Sequence, residues 1–274
     1  RHPQDVSESL ILSNKEAERK GHDMRIRQHF KTIVISDLHL GSANSRTAEV
    51  TEFLKSVDCD ELIMNGDIID GWAINRVGTG RWKKVHTDFF KVIMKMVEKH
   101  GTEIVYVRGN HDDFLDAVIP FEFFSFRCVR DYVYTSCGHR YYVTHGDIFD
   151  TVTKNMRWMS QLGDIGYTLL LWINRKYNNY RKAHGLPYYS LSQALKQKVK
   201  SAVSYLSNYE QELVQFARAR HCDGIICGHI HHPDNKWLDG IHYLNAGDWV
   251  ESLSALVEDD SGNWNIVYYN QDFS

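Results

Sequence analysis

The 274-residue sequence lacks the features that mark membrane-spanning, disulfide-rich and nucleic-acid-coating proteins. Its longest candidate apolar run, around residues 169–173, is far shorter than the roughly 18 residues that a transmembrane helix needs. Its five cysteines are an odd number without a Cys-x-x-Cys pair, which favours reduced thiols in the cytoplasm over a disulfide framework. Its formal charge of −3 argues against a generally basic nucleic-acid-binding protein.

The order of predicted strands and helices is typical of a layered α/β protein. Runs rich in β-branched and aromatic residues predict strands at 32–35, 61–64, 103–107, 141–144, 224–227, 242–244, 252–257 and 264–269. Between the second and third runs, Phe89, Ile93 and Met96 recur on one helical face. Gly101 then ends that helix. Early alternation of strands with helices, followed by successive strands, predicts an α/β sandwich with a mixed sheet.

One internal stretch differs from the rest of the chain in charge. Residues 165–209 contain seven basic and eight aromatic residues and no Asp or Glu, so the remainder of the chain sums to −10 (−3 minus 7). The stretch also interrupts the pattern of strands. We therefore divide the chain into a polar N-terminal extension, residues 1–31, and one domain, residues 32–274, which carries a helical cap insertion at about 151–220.

Residues that can bind metal ions directly follow five of the predicted strands. The motifs are Asp37-Leu38-His39, Gly66-Asp67-Ile68-Ile69-Asp70, Gly109-Asn110-His111-Asp112, His145-Gly146-Asp147 and Gly228-His229-Ile230-His231. Loops at the carboxyl ends of strands in an open α/β sheet converge on one crevice, so we expect these side chains to meet. Each motif alone is a weak signal, whereas all five in order are a strong one. Asp, His and Asn without Cys suit Mn²⁺, Fe²⁺ or Zn²⁺, and a two-ion centre activates water for attack on a phosphate.

The five motifs, in this order, resemble those of the calcineurin-like metallophosphoesterase superfamily, over the chain from about Lys31 onward. The resemblance implies a four-layer αββα sandwich and a metal-dependent phosphoesterase or pyrophosphatase with two divalent metal ions. The implied ligands are Asp37, His39 and His231 for one ion, Asn110, His145 and His229 for the other, and Asp67 as the bridge. The resemblance also implies that His111 contacts the substrate phosphate and assists the leaving group, while Asp70 orients the ring of His111.

A finer similarity is to the bacterial UDP-2,3-diacylglucosamine diphosphatases of lipid A synthesis. The chain length, the run from Gly66 to Trp72 and the insertion between the fourth and fifth motifs all resemble that group. In the group the insertion forms a lid over the acyl chains. The sequence departs from it at His111, where well-studied members have Arg, and this departure is consistent with a sister branch that acts on a different substrate.

The basic, aromatic stretch has a structural and a functional interpretation. It is either a solvated helical cap whose tyrosines pack on one another, or an interfacial segment that holds anionic lipid. Lys and Arg attract acidic headgroups, whereas Tyr and Trp favour the membrane boundary. Stacking on nucleic-acid bases is a third interpretation. The candidate substrate-binding residues, two of them in the loop after the second motif, are Trp72, Arg76, Arg175, Lys176, Arg181 and Lys182.

Three functions follow from these observations. The first is a hydrolase that cleaves the pyrophosphate of UDP-2,3-diacylglucosamine or a related lipid-linked nucleotide. The second is a nuclease or cyclic-nucleotide phosphodiesterase on the same scaffold, and the third is a non-catalytic scaffold. The intact ligand set argues against the third, and the acidic balance outside the cap argues against nucleic acid as a partner. We expect a cytoplasmic enzyme, peripheral on the inner face of the cell membrane, that uses Mn²⁺ ahead of Fe²⁺ or Zn²⁺.

Overall fold

The structure, a computed structural model, describes most of the chain outside the predicted cap insertion. The described residues are 27–78, 80, 82–148, 176–177, 180–182, 184–185 and 206–272. Most of the predicted insertion and of the predicted N-terminal extension therefore lies outside the described residues.

The larger of two sheets has seven strands, with parallel strands at its centre. Its strands are β1 (Gln28–Ile35), β2 (Val57–Asn65), β3 (Glu103–Val107), β4 (Phe121–Phe123), β5 (Phe126–Val129), β11 (Ser254–Glu258) and β12 (Trp264–Tyr268). Their spatial order is β12-β11-β1-β2-β3-β5-β4, and β1, β2, β3 and β5 run parallel. Parallel strands send their carboxyl ends to one edge, so β1, β2 and β3 all end on the same side of the molecule.

The smaller sheet has five strands and also contains a parallel centre. Its strands are β6 (Asp131–Ser136), β7 (His139–Thr144), β8 (Gly224–Cys227), β9 (Asp234–Leu238) and β10 (Ile241–Asn245). Their spatial order is β6-β7-β8-β10-β9, with β7, β8 and β10 parallel.

Within the described residues the helices are α1 (Thr47–Ser56), α2 (Gly71–Val77), α3 (Lys84–His100), α4 (residues 206–219) and α5 (Tyr269–Asp272), with a 3-10 helix at Asp113–Ala117. Helices α1 and α3 cover the outer face of the larger sheet, and α4 covers that of the smaller sheet. Helix α3 ends where Gly101 adopts a left-handed φ of 70° and donates its N–H to Val97 O at 3.1 Å. Among the helices that lie in the described ranges, none is both long and apolar enough to cross a membrane.

In the described part of the chain, three apolar cores lie between four layers. Alternation along β1 sends Ile33 and Ile35 into the core beneath α1 and α3, and Val34 into the core between the sheets. Phe89 of α3 is completely buried in the first of these cores. On the other side of the molecule, Leu213 of α4 is buried against the smaller sheet. The order of layers is therefore helix, sheet, sheet, helix.

The structure confirms the predicted αββα sandwich and contains all eight predicted strands, with ends shifted by a few residues. It adds α1, α2, α5, β4, β5, β6 and β9, which the sequence patterns did not predict. Strand β1 begins at Gln28, inside the predicted N-terminal extension, because residues 28–30 pair with residues 57–59 of β2. Helix α4 falls within the predicted insertion but forms the outer layer of the sandwich, and its Tyr209 is buried there.

We expect Phe89→Ala to lower the free energy of unfolding by about 3–5 kcal/mol, because it leaves a cavity in a completely buried core. Urea unfolding followed by circular dichroism measures the change. The matched control is Phe124→Ala, which removes the same atoms from a ring that is 89% exposed. Equal losses for the two variants would contradict the assigned core.

Candidate metal centre

The predicted metal ligands lie in loops at the edge where the parallel strands end. The loops after β1 and β2 are joined through their backbones. Asp37 N–H donates to Gly66 O at 3.0 Å, and His39 N–H donates to Asp67 O at 2.8 Å. These backbone hydrogen bonds fix the spacing between the first two motifs independently of side-chain contacts.

Five predicted ligands have a left-handed backbone, which is uncommon outside glycine. They are Asp37, His39, Asp67, His229 and His231, with φ between 50° and 71°. This conformation costs free energy in a non-glycine residue, and such residues concentrate at functional sites. The left-handed turns at the sheet edge therefore indicate that the positions of these side chains have a functional role.

Two glycines allow the loops to approach each other closely. A Cβ atom at Gly66, which has a φ of 82°, would lie 2.3 Å from His145 Nδ1. A Cβ atom at Gly109 would lie 2.4 Å from Asp67 Oδ1. Both contacts are shorter than atoms tolerate, so only glycine lets the ligand loops meet here.

The first group of side chains consists of Asp37, His39 and His231. Their potential ligand atoms lie within 4.8 Å of one another. His231 Nε2 is 3.2 Å from Asp37 Oδ1, and His39 Nε2 is 3.8 Å from the same oxygen. His39 Nε2 is also 3.8 Å from Asp67 Oδ2, so Asp67 adjoins the group. These three residues are the predicted ligands of the first ion.

The second group consists of Asp67, His145 and His229, again within 4.8 Å. His145 Nε2 is 3.5 Å from Asp67 Oδ1, and the rings of His145 and His229 have centroids 5.1 Å apart. Asp67 thus lies between the two groups, where the predicted bridge between two ions must lie. It also forms a third group with His39 and His111.

Some buried polar atoms at the centre lack a hydrogen-bond partner among the described residues and could bind cations. Asn110 Oδ1 is buried and has no hydrogen-bond partner within the described part of the chain, and buried His145 Nε2 has only the long 3.5 Å approach to Asp67 Oδ1. Such atoms are costly unless a ligand satisfies them. His145 Nδ1 lies 2.9 Å from Asn65 O, and because a carbonyl only accepts, Nδ1 is the donor and Nε2 is left to face the centre. The residues present therefore suit the two divalent ions that the motifs predict.

The pKa values at the centre are set by buried carboxylates and imidazoles that carry opposite charges. Burial opposes ionisation of Asp37 and Asp67, but the neighbouring His231 and His145 outweigh it and hold the pKa of each carboxyl below its usual range. Burial likewise opposes protonation of the imidazoles, but Asp67 and Asp37 raise the pKa of His145 to about 10. Asp37 and Asp248 raise the pKa of His231 to about 9. Without metal, protons on these rings balance the carboxylates.

His111 is held on two sides next to the ligand groups. Its Nδ1 lies 3.0 Å from Asp70 Oδ1, which also accepts the N–H of Ala73 at 2.8 Å. Its Nε2 lies 3.9 Å from Asp67 Oδ2. The Trp72 ring lies over the imidazole, with centroids 4.2 Å apart, and its Nε1 donates to Asp113 Oδ2 at 3.1 Å. The geometry thus places the predicted catalytic pair, and one predicted substrate-binding residue, at the centre.

Of the five other predicted substrate-binding residues, the structure describes four. Arg76 is exposed in the last turn of α2. Lys176 and Lys182 have helical backbone and are exposed, and Arg181 donates to Tyr177 Oη at 3.3 Å with its guanidinium over the ring of Tyr177. Arg175 lies outside the described residues.

Two buried aspartates of the centre were missed by the sequence analysis. Asp112 accepts from Ile69 N–H at 2.9 Å and from Tyr106 Oη at 2.8 Å, so it ties the third motif to the second. Burial, helped by Asp67, raises the pKa of Asp112 to about 7. It stands in the Gly109–Asp112 motif, but no role was assigned to it.

Asp248 is completely buried behind His231. Its Oδ1 lies 3.9 Å from His231 Nδ1 and accepts the N–H of Val250 at 2.7 Å. Gly247-Asp248 follows β10 just as the predicted motifs follow their strands, so the signal that would have identified it was present.

Comparison with known proteins gives one family match. The family model described as calcineurin-like phosphoesterase matches residues 30–233. No curated protein sequence matches the chain.

Three solved structures that the chain matches share 12–16% sequence identity with it. One is a conserved uncharacterized protein from Streptococcus pneumoniae, described as a predicted phosphoesterase (16% identity, 88% of this chain and 90% of that chain, TM-score 0.38). Another is a dimetal phosphatase from Danio rerio (12% identity, 88% and 99%, TM-score 0.40). A third is a mutant Vps29 from Entamoeba histolytica (12% identity, 86% and 98%, TM-score 0.40). Family membership rests on the match over residues 30–233 and not on these superpositions.

We expect Asp67→Asn to weaken metal binding more than His39→Ala does, because Asp67 adjoins both groups and His39 only one of the two predicted ion sites. Elemental analysis after dialysis against limiting Mn²⁺ measures the bound metal. Asp70→Asn is the matched control, since Asp70 contacts His111 and belongs to neither group. Full metal content in Asp67→Asn would contradict a two-ion centre bridged by this residue.

We expect metal affinity to rise with pH up to about 9–10. His231 and His145 have raised pKa values of about 9 and about 10, so both rings are protonated at neutral pH and must lose protons to act as ligands. The apparent affinity for Mn²⁺ should rise by roughly tenfold per pH unit for each proton displaced, and flatten above these pKa values. Calorimetric titration in buffers of different ionisation enthalpy counts the released protons. Release of none at neutral pH would contradict this coupling.

Proposed function

The chain belongs to the calcineurin-like phosphoesterase family and is a metal-dependent phosphoesterase, and we propose that it hydrolyses the pyrophosphate of UDP-2,3-diacylglucosamine or of a related lipid-linked nucleotide. The observation that carries the hydrolytic part is the convergence of Asp37, Asp67 and His145, with their neighbours, beside the His111–Asp70 pair. The lipid-linked substrate is supported by the run from Gly66 to Trp72 and by the composition of residues 165–209.

Hydrolysis of the pyrophosphate requires water to add to phosphorus and the bridging P–O bond to break. A pair of divalent ions, when bound, lowers the pKa of water and neutralises the charge of the phosphate. The family's ions would be held by the two side-chain groups described above, and we propose Mn²⁺ as the ion. The leaving oxygen gains negative charge as the P–O bond breaks, and a proton donated by the chain would neutralise that charge.

His111 is positioned to supply that proton. Asp70 lies at hydrogen-bond distance from Nδ1, which orients the imidazole and leaves Nε2 toward Asp67 and the centre. A protonated Nε2 can donate to the oxygen of the departing group. Asp70 remains an acceptor for Ala73 N–H at the start of α2, so its carboxylate has a fixed orientation. In this arrangement Asp70 is a positioning residue and His111 is the proton donor.

Trp72 is suited to contact the substrate next to His111. The indole is 43% exposed, although one of its faces lies against the imidazole. Its Nε1–H is already bonded to Asp113, so the exposed part offers an aromatic surface. We propose that this surface packs against the substrate beside the scissile bond.

The basic, aromatic stretch is the proposed contact with anionic lipid at the inner face of the cell membrane. Seven cations and no acidic residue in 45 positions favour an anionic partner. Each Lys or Arg near an anionic surface contributes roughly 1 kcal/mol at low salt. The residues proposed for this role are Arg175, Lys176, Arg181 and Lys182.

We expect His111→Ala to lower kcat by a factor on the order of 10²–10⁴, with metal content nearly unchanged, because it removes acid catalysis and neither predicted ion site. Asp70→Asn should give a milder defect of the same kind, since it removes only the orienting carboxylate. Steady-state kinetics with elemental analysis of the same samples measure both effects. Loss of metal in His111→Ala would instead make His111 a ligand, which its place in the third group allows.

The substrate proposal predicts a specific order of activities. With Mn²⁺ present, UDP-2,3-diacylglucosamine should be cleaved with a higher kcat/KM than bis-p-nitrophenyl phosphate, cyclic AMP or single-stranded DNA. Faster cleavage of DNA or of the cyclic nucleotide would favour the alternative functions. Absence of hydrolysis on the whole panel would favour a binding protein.

Charge reversal separates the lipid contact from the metal centre. Changing Arg175, Lys176, Arg181 and Lys182 to Glu should weaken sedimentation with anionic liposomes and raise KM for the lipid-linked substrate, while activity on bis-p-nitrophenyl phosphate stays unchanged. The matched control reverses four exposed lysines of α3, which are Lys84, Lys91, Lys95 and Lys99. Unchanged liposome binding by the first variant would contradict the proposed lipid contact.

A further inference from the structure

An apolar cavity of about 630 Å³ lies between α3 and the β4–β5 hairpin. The 3-10 helix Asp113–Ala117 forms its third wall through Leu115. Its floor is made by residues of β2, β3 and β5, among them Met64 and Ile104. The volume falls within the range of about 300–1,000 Å³ that is usual for small-molecule sites. It is separate from both metal-ligand groups.

The lining of the cavity offers almost nothing to a polar ligand. It is apolar apart from Tyr106, Ser125 and Cys128. The hydroxyl of Tyr106 is already bonded to Asp112 at 2.8 Å. Burial raises the pKa of the Cys128 thiol to about 11, so that side chain stays uncharged. A nucleotide, a sugar or a peptide backbone would lose its hydrogen bonds to water here and regain few of them.

The mouth of the cavity is an exposed apolar surface. The exposed residues that line it are Met94, Val118, Phe121, Phe123 and Phe124. Monomeric proteins rarely expose several large apolar side chains together, and such patches mark binding sites. The surface leads into the cavity, so both belong to one feature.

Backbone strain at the hairpin indicates that the exposure of its aromatic rings is built into the fold. Phe124 adopts a left-handed φ of 50°, which is uncommon for a bulky residue. Its ring is 89% exposed and meets Phe123 edge to face, with centroids 4.6 Å apart. Neither ring gains burial in the core from this arrangement.

The position of the cavity also favours an amphiphile over a second protein. Asp113, on the wall shared with Leu115, accepts the Nε1–H of Trp72 beside His111, and Phe114 lies so close to Gly71 that a Cβ atom there would be 2.8 Å from its ring. A second copy paired antiparallel along β4 about Glu122 would set two carboxylates opposite each other, which is unfavourable. A slender apolar molecule fills a deep cavity, whereas a flat protein surface does not.

We propose that this cavity is a binding site for a single hydrocarbon chain, such as that of a fatty acid or of a lipid. The chain enters between Met94 and the Phe123–Phe124 pair and lies along α3. The inference does not depend on the proposed UDP-linked substrate, because it rests on the apolar lining of the cavity, its exposed mouth and the conformation of the hairpin.

Fluorescence titration with cis-parinaric acid below its critical micelle concentration tests the proposal. The wild-type protein should bind this fatty acid, and the double variant Met94→Glu/Phe123→Glu should raise its dissociation constant by about tenfold or more. Both changed side chains are exposed, so the fold should persist, and thermal unfolding checks this. The single variant Phe123→Leu should bind the fatty acid as the wild type does, since it keeps an apolar side chain at the mouth.

The matched control is Trp237→Glu, at an exposed aromatic residue that does not line the cavity and has the same 61% exposure as Phe123. This variant should bind the fatty acid as the wild type does. Failure of the wild type to bind, or equal binding by the double variant, would overturn the proposal.

Sedimentation with neutral phosphatidylcholine vesicles identifies the source of the chain. If the wild-type protein sediments with the vesicles and the double variant does not, the hydrocarbon chain comes from a bilayer lipid. If the wild-type protein binds the monomeric acid but does not sediment with the vesicles, the ligand is a free amphiphile. Hydrolysis of UDP-2,3-diacylglucosamine is assayed separately, so a failure of the proposed function leaves this result interpretable.

Discussion

The structure depends on the burial of two carboxylates, Asp37 and Asp67, at the edge where two sheets meet. Both side chains are almost fully removed from water. A buried carboxylate is stable only when positive charge and hydrogen bonds replace its hydration. His145 and His231 supply positive charge through their raised pKa values, and divalent cations supply more of it when they replace those protons.

The local backbone follows from the same constraint. Asp67 Oδ1 accepts the N–H of His111 at 2.8 Å, and Asp37 Oδ2 accepts the N–H of His229 at 2.9 Å. Each carboxylate therefore fixes the loop that carries a further functional side chain. The left-handed turns, and the glycines where the ligand loops approach each other, position these side chains at the ends of the strands. The apolar cores of the sandwich thus provide the stability that offsets the cost of the left-handed turns and the buried charges at this edge.

Much of this centre could be predicted from sequence because the rule behind it is local. A polar residue that follows a parallel strand lies at a shared edge, so Asp37, Asp67 and His145 could be expected to meet before their distances were known. Asp248 obeys the same rule, but its motif was not recognised. Asp112 could not be assigned, because its partners Ile69 and Tyr106 come from other elements and only the tertiary fold brings them together.

The remaining differences have similar physical causes. Strand β4 is three residues long and gives no periodic signal. The predicted cap insertion includes the helix at residues 206–219, because its predicted boundary rests on composition and not on periodicity. Tyr209 is accordingly one of the eight aromatic residues of the predicted interfacial stretch. In the structure that ring is buried against the smaller sheet with Leu213. The apolar cavity beside β4 has no signal in the sequence, since it depends on how α3, the 3-10 helix and the β4–β5 hairpin pack against one another, and residue spacing does not show tertiary packing.

The central claim is that one buried aspartate joins two metal sites into a single centre. Electron paramagnetic resonance of the protein titrated with Mn²⁺ tests it most directly, because bridged ions roughly 3.5–4 Å apart couple magnetically and isolated ions do not. The account predicts that the spectrum of the fully loaded protein is that of an exchange-coupled pair, and that Asp67→Asn abolishes the coupling. A spectrum of isolated Mn²⁺ at full loading of the wild-type protein would contradict the account.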